Sequence, residues 1–115
     1  MRTKSYRRPW GTFEILLDEP SYKVKRIKVE PSQRLSYQSH EYRSELWCVV
    51  AGSGLVTIDD RESSVSYGSI VKFPANAKHR MENTGEVPLE FIEVQTGISF
   101  EEEDIIRYED DYKRV

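Results

Sequence analysis

The chain has 115 residues, a net charge of −3, 37% hydrophobic and 32% charged residues. That length fits one domain with a modest core over residues 1–115, and the composition is too apolar for a disordered chain and too polar for a membrane span. The net negative charge argues against nucleic acid as a partner. The longest apolar run, Leu46 to Ala51, is far short of the ~20 residues a bilayer requires. No apolar signal segment follows the basic start Met1-Arg2-Thr3-Lys4-Ser5, so a cytoplasmic protein without a membrane partner is expected. Charge is unevenly spread. Arg2, Lys4, Arg7 and Arg8, then Lys23, Lys25, Arg26, Lys28 and Arg34, make the first third basic, while Glu101 to Asp111 is acidic. Such a pattern reads as a solvated surface, or as early cations that face an anionic substrate such as a sugar phosphate. A single cysteine, Cys48, rules out an internal disulfide and, in its apolar run, is expected to pack as a small hydrophobe.

In chain order the sequence reads as short strands separated by turn residues. Thr12 to Leu17 is apolar and β-branched, and Asp18-Glu19-Pro20-Ser21 breaks it. From Tyr22 to Val29 the alternation has period two: Tyr22, Val24, Arg26 and Lys28 share one face, and Lys23, Lys25, Ile27 and Val29 the other. Strands are expected at Arg34 to Gln38, and at Glu45 to Val50, the latter read as buried and closed by Ala51-Gly52-Ser53-Gly54. Leu55 to Ile58, Ser63 to Tyr67, Ile70 to Phe73, Lys78 to Glu82 and Leu89 to Gln95 complete the set. Only Glu101 to Tyr108 suggests a short helical turn near the C-terminus. Many short strands with glycines at the corners indicate an all-β fold, for which a jelly-roll barrel is the natural size.

Two segments combine into a metal-site pattern. Gln38 and His40, two apart on a strand, point to one face, and Glu45 opens the next strand after a short turn. His79 lies five residues beyond Pro74. Two imidazoles, a carboxylate and an amide oxygen can surround one divalent ion and leave positions for water or substrate. The chain's only two histidines both fall in this pattern. Glu45 begins an otherwise apolar strand, where a buried carboxylate is costly unless paired or metal-bound. Nitrogen and oxygen donors suit zinc first, with Mn, Fe, Co or Ni as alternatives. Arg43 falls in the turn between these donors, at the mouth of the expected site, where a guanidinium can neutralise an oxyanion or grip phosphate. Glu93 shares a strand face with Gln95; if that face points inward, Glu93 is a free general base. Trp10 and Trp47 are expected in core or rim packing, and Tyr108, Asp110 and Tyr112 as anchors of the tail.

Ser32 through Gly52 resembles cupin motif one, with Gln38 in place of its first histidine. Gly68, Pro74, His79 and Asn83 resemble motif two, with Asn76 at a position where that motif has glycine. Further matches are Arg8-Pro9-Trp10-Gly11, Leu35 through His40, Arg43-Ser44-Glu45-Leu46-Trp47, His79 through Asn83, Ile92 through Gly97, and the closing stretch Glu103 through Arg114. Together these are similar to the cupin domain of type II phosphomannose isomerases, usually fused behind a mannose-1-phosphate guanylyltransferase domain. Departures from that family pattern are Leu46 for histidine, the Gly97-Ile98-Ser99-Phe100-Glu101 stretch, and Lys113 for glycine.

The resemblance implies a metal-dependent aldose–ketose isomerase of carbohydrate metabolism interconverting mannose 6-phosphate and fructose 6-phosphate. In it one cation, held by Gln38, His40, Glu45 and His79, would polarise the sugar carbonyl. Arg43 would neutralise developing charge; the proton carrier is left open among Glu93, His79 and Glu45, of which a metal-bound ligand is the poorer base, and a hydride shift is the alternative to proton transfer. A homodimer joined through edge strands is the family's habit. The competing expectation is a non-catalytic metal-binding module that binds a sugar phosphate or nucleotide sugar, or a companion subunit of a guanylyltransferase. No glycine-rich nucleotide loop is present, so guanylyl transfer is not expected of this chain. A metal-dependent dioxygenase is a third class compatible with the fold.

Overall fold

The computed structural model describes residues 4–114; the expected contribution of Arg2 lies outside them. Eleven strands run in chain order: β1 Lys4–Arg8, β2 Gly11–Asp18, β3 Tyr22–Val29, β4 Tyr37–Ser39, β5 Arg43–Ala51, β6 Ser53–Ile58, β7 Arg61–Ser66, β8 Ile70–Phe73, β9 His79–Asn83, β10 Leu89–Gly97 and β11 Ile106–Glu109. They form a six-stranded sheet, β1-β2-β3-β10-β5-β8, and a five-stranded sheet, β11-β4-β9-β6-β7. Every named pairing is antiparallel. This is the all-β jelly-roll arrangement expected from the turn spacing.

Alternation decides which side chains enter the space between the sheets. On β5, Arg43, Glu45, Trp47 and Val49 are buried; on β10, Leu89, Phe91, Glu93 and Gln95 are. The β10–β5 register sets Glu93 across from Trp47 and Gln95 across from Glu45, so these four share one patch of interior. On β3 the inward set is Lys23, Lys25, Ile27 and Val29, one of the two faces that the period-two reading separated. The core splits accordingly. One end is apolar, with Val29, Val49, Val56, Met81, Leu89 and Phe91 almost wholly covered. The other end takes polar and charged groups.

Three details differ from the sequence reading. The apolar run after Glu45 is buried on alternate positions only. Leu46, Cys48 and Val50 lie on the outer face of the sheet and are half-buried, so Cys48 is not a core residue. Continuous apolarity had masked an ordinary one-sided strand. The stretch from Glu101 to Tyr108 forms no helical turn. A tight turn at Glu102–Glu103 leads into β11, whose pairing with β4 satisfies its backbone better than one isolated helical turn would. Both unforeseen strands, β1 and β11, are sheet edges; β8 and β7 are the other two. Trp10 and Trp47 are both core residues. No helix among the described residues is long and apolar enough to cross a membrane.

Candidate metal centre

The polar end of the barrel holds a cavity of about 170 Å³, several times the ~30 Å³ share of one water. Its floor is made by both sheets. β5 supplies Arg43 and Trp47, and Glu45, the third residue of that strand, lies against His40 and Arg43. β9 supplies His79 as its first residue, and His40 follows directly after β4. One ligand atom from each of His40, Glu45 and His79 lies within 4.8 Å of the others, and all three residues are buried. The separations are 3.2 Å between the two Nε2 atoms, 3.3 Å from His40 Nε2 to Glu45 Oε2, and 4.0 Å from His79 Nε2 to Glu45 Oε1.

Second contacts orient the rings. His40 Nδ1 lies 2.7 Å from the Asp104 carbonyl and His79 Nδ1 3.0 Å from the Ala77 carbonyl. A carbonyl only accepts, so each Nδ1 carries the proton and each Nε2 turns its lone pair into the cluster. Burial holds both rings neutral. His40 is lowered to about 3, by burial first and then by Arg43 and His79, and His79 to about 4, chiefly by burial. Two neutral imidazole acceptors and a carboxylate thus converge with their lone pairs facing, an arrangement a cation would satisfy. In a tetrahedral site with ~2.1 Å bonds, neighbouring donor atoms stand roughly 3.4 Å apart. The spacing seen here fits that group.

Gln38 sits directly across from His79 in the β4–β9 pairing and lines the same cavity. Arg43 is inside rather than in a turn at the mouth: it is the first residue of β5 and is 6% exposed. Its Nε donates to Glu45 Oε2 at 3.1 Å, its Nη1 to the Glu101 carbonyl at 3.0 Å, and its Nη2 lies 3.3 Å from His40 Nε2. Glu93 points inward. It accepts from Trp47 Nε1 at 3.1 Å and from Gln95 Nε2 at 2.9 Å. Burial first, and the neighbouring Glu45 next, push its carboxyl up to about 7.

Of the early cations, Arg8 and Lys25 line the cavity, whereas Arg26 pairs with Glu14 and Arg34 with Asp111 on the surface. Two further lining cations, Arg107 and Arg114, lie in or beyond the acidic tail, where the surrounding carboxylates hid them in the sequence. Arg114 is held by Asp110 at 2.7 Å. Arg107 Nε is buried without a hydrogen-bond partner, and burial, Arg114 and Arg8 all lower its pKa. The role of Asp104 likewise had no periodic signal.

The imidazoles make metal-free stability depend on pH. Both are neutral when folded but take up protons below 6.5 when unfolded, so their contribution is complete above pH 6.5 and drains as pH falls toward 4 and 3. Glu93 has the opposite sign: raised from 4.5 to about 7, its contribution is full below 4.5 and is lost as pH rises through 7. Between those windows two imidazoles outweigh one carboxyl, giving a net loss on the order of 1 kcal/mol per unit of acidification from pH 6.5 to 4.5. Urea midpoints measured in chelator across that range are expected to fall with pH; a flat or rising series would contradict the assignment.

The family described as "Mannose-6-phosphate isomerase C-terminal" matches residues 1–110. Among curated proteins, the mannose-1-phosphate guanylyltransferase ManC of Salmonella typhimurium is 43% identical over 108 residues, covering 94% of this chain and 22% of that protein. A mannose-1-phosphate guanylyltransferase of Escherichia coli K12 is also 43% identical over 108 residues, covering 94% of this chain and 23% of that protein. The chain therefore spans about a fifth of the length of these curated relatives. Among solved structures, the capsular polysaccharide assembling protein CapF from Staphylococcus aureus superposes with a TM-score of 0.84 at 21% identity, over 96% of this chain and 33% of that one, a likeness of fold. These relatives correct the expected activity. They are guanylyltransferases that this chain matches only at their C-terminal part, so the interconversion of mannose 6-phosphate and fructose 6-phosphate does not stand as its function.

Proposed function

Because the chain belongs to the mannose-6-phosphate isomerase C-terminal family, we propose that its cavity binds a mannose phosphate at a centre built for one divalent cation. His40, Glu45 and His79 would hold the ion, with Gln38 as the fourth donor. Zinc is the first choice for this donor set, and Mn, Fe, Co or Ni are the alternatives. When bound, such an ion supplies a Lewis acid for a sugar oxygen. The observation that carries the reading is the division of the cavity, in which His40 and His79, two of three convergent lone-pair donors, line the same space as Arg8, Lys25, Arg107 and Arg114, with Glu45 the third donor beside them.

The chain's own residues divide the work of recognition. Arginine forks match phosphate geometry, and the buried, unpartnered Arg107 Nε is a donor that a phosphate oxygen would satisfy. Arg43, between His40 and Glu45, places positive charge beside the floor of the cavity. Glu93, near neutrality in its titration, can either donate to or accept from a sugar hydroxyl. The sugar is assigned as a mannose phosphate because the relatives are named for mannose 1-phosphate. The chain would serve guanylyl-transfer chemistry as its sugar-phosphate-binding unit.

Calorimetric titration of zinc-loaded protein with mannose 1-phosphate, mannose 6-phosphate, mannose and inorganic phosphate tests this. A phosphorylated sugar is expected to bind at least about tenfold more tightly than mannose, with affinity falling about tenfold in Arg107→Ala and on removal of zinc, on the scale of one charge-assisted contact. Equal affinity for mannose, or no binding of either phosphate ester, would overturn the proposal.

A further inference from the structure

Between β10 and β11 the chain runs from Ile98 to Ile105 as a strap that joins the two sheets past the cavity and contributes Glu102 and Ile105 to its wall. The strap belongs to neither sheet. Besides one backbone bond, from Ile98 N–H to the Tyr42 carbonyl at 3.1 Å, side chains from the barrel hold it. Lys23 Nζ donates to the Phe100 carbonyl at 3.4 Å, Lys25 Nζ pairs with Glu102 at 2.7 Å, Arg43 Nη1 reaches the Glu101 carbonyl at 3.0 Å, and His40 Nδ1 reaches the Asp104 carbonyl at 2.7 Å.

Asp104 concentrates these contacts. Besides its carbonyl on His40, its two carboxylate oxygens accept the backbone N–H groups of Glu41 at 2.9 Å and Tyr42 at 3.0 Å. One residue thus grips the loop between β4 and β5 at three points. That loop begins at a metal-donor candidate, His40, and leads into Arg43, the first residue of β5, which in turn touches Glu45. The amides hold the carboxylate charged, pulling its pKa down against the effect of burial. The bond to Nδ1 does more than fix the loop: it selects the tautomer whose Nε2 lone pair faces His79 and Glu45.

We propose that Asp104 is a positioning residue that sets the affinity of the centre for its cation, by latching the strap onto the His40 loop so that strap docking and cation binding are coupled. The inference rests on the metal-binding reading above. Coupling of this kind is reciprocal: whatever the docked strap adds to cation affinity, the bound cation returns to strap docking. Partners of metal-bound histidines are typically worth 10–100-fold in metal affinity.

Zinc affinity of the full chain, measured against a competing chelator, tests it with three variants. Asp104→Ala is expected to weaken zinc binding about 10–100-fold. Asp104→Asn is expected to lose less, since its amide oxygen still accepts one of the two N–H groups. Glu103→Ala, exposed on the same strap, is expected to match the unaltered protein. Two readouts separate positioning from general destabilisation. Ring nitrogen shifts of His40 in the metal-free protein should report one tautomer, and a mixture in Asp104→Ala. Exchange of the Glu41 and Tyr42 amides should slow at least about tenfold when zinc is added. If the unaltered protein takes up no zinc, the metal-binding reading falls and this inference with it. If it binds zinc and Asp104→Ala binds equally well, only this inference falls. Should Asp104→Ala fail to fold, amide exchange in the unaltered protein decides, and no change on zinc addition overturns the coupling.

Discussion

Replacing Trp47 by alanine is expected to cost about 5 kcal/mol of folding stability, comparable with the whole ~5–15 kcal/mol that holds a domain together. Trp47 is 1% exposed. Its ring packs against Phe73 at 5.1 Å, His79 at 5.5 Å and Phe91 at 4.8 Å between centroids. Removing a buried tryptophan alone costs roughly 3–5 kcal/mol through lost burial and the void left behind. The indole N–H also donates to two buried carboxylates, Glu45 Oε1 at 3.0 Å and Glu93 Oε1 at 3.1 Å. Stripping that donor leaves acceptors short of a partner, at roughly 1–3 kcal/mol. Because these losses share one cluster they will not add fully. Trp47→Phe separates them: it keeps most of the packing, loses the donor, and should cost about 2 kcal/mol. Urea unfolding of both variants in chelator provides the measurement. A Trp47→Ala protein within 2 kcal/mol of the unaltered one would show that the indole is not the keystone of the interior.

His79→Ala carries the second large effect, a loss of zinc affinity of about a hundredfold or more. Structural zinc sites gather roughly 10–16 kcal/mol from four donors, or about 3 kcal/mol each. His79 is stacked on Phe73 at 4.2 Å, so its alanine variant also opens a void and should lower metal-free stability by about 2 kcal/mol. The two effects are read separately, zinc by chelator competition and stability by urea. A variant whose zinc affinity stays within threefold would place the cation elsewhere.

The convergence of His40, Glu45 and His79 was legible in part from local facts. Gln38, His40 and Glu45 lie within eight positions, and period-two geometry turns Gln38 and His40 the same way. His79 is distant in sequence and was tied to the others by being the chain's second histidine and by the resemblance; pairing with Gln38 explains the proximity. The division of β3 into two faces was also legible, but not which of them turns inward and buries Lys23 and Lys25, since alternation is blind to charge. What escaped depends on where the tail lands. Arg107 and Arg114 sit among carboxylates, and Asp104 among three glutamates, so composition marked that region as solvated. The pairing of β11 with β4, together with side-chain contacts such as Lys25 to Glu102, brings it to the cavity. Arg43 was foreseen as a cation at the site, but its depth was not. It begins β5 instead of ending a turn, and the strand's alternation carries it inside with Glu45. The relatives, in turn, changed the assigned activity and left this geometry untouched.

The placement of β10 has a consequence in time. It lies between β3 and β5, paired along its length to both. During synthesis, β3 and β5 leave the ribosome with no neighbour for their facing edges, and roughly forty residues must follow before Leu89 to Gly97 arrives to fill the gap. At about 5–20 residues per second that is a wait of some seconds. The nascent chain therefore carries two unmatched edges for longer than a hairpin takes to form, and a truncated product ending before β10 would expose both to aggregation.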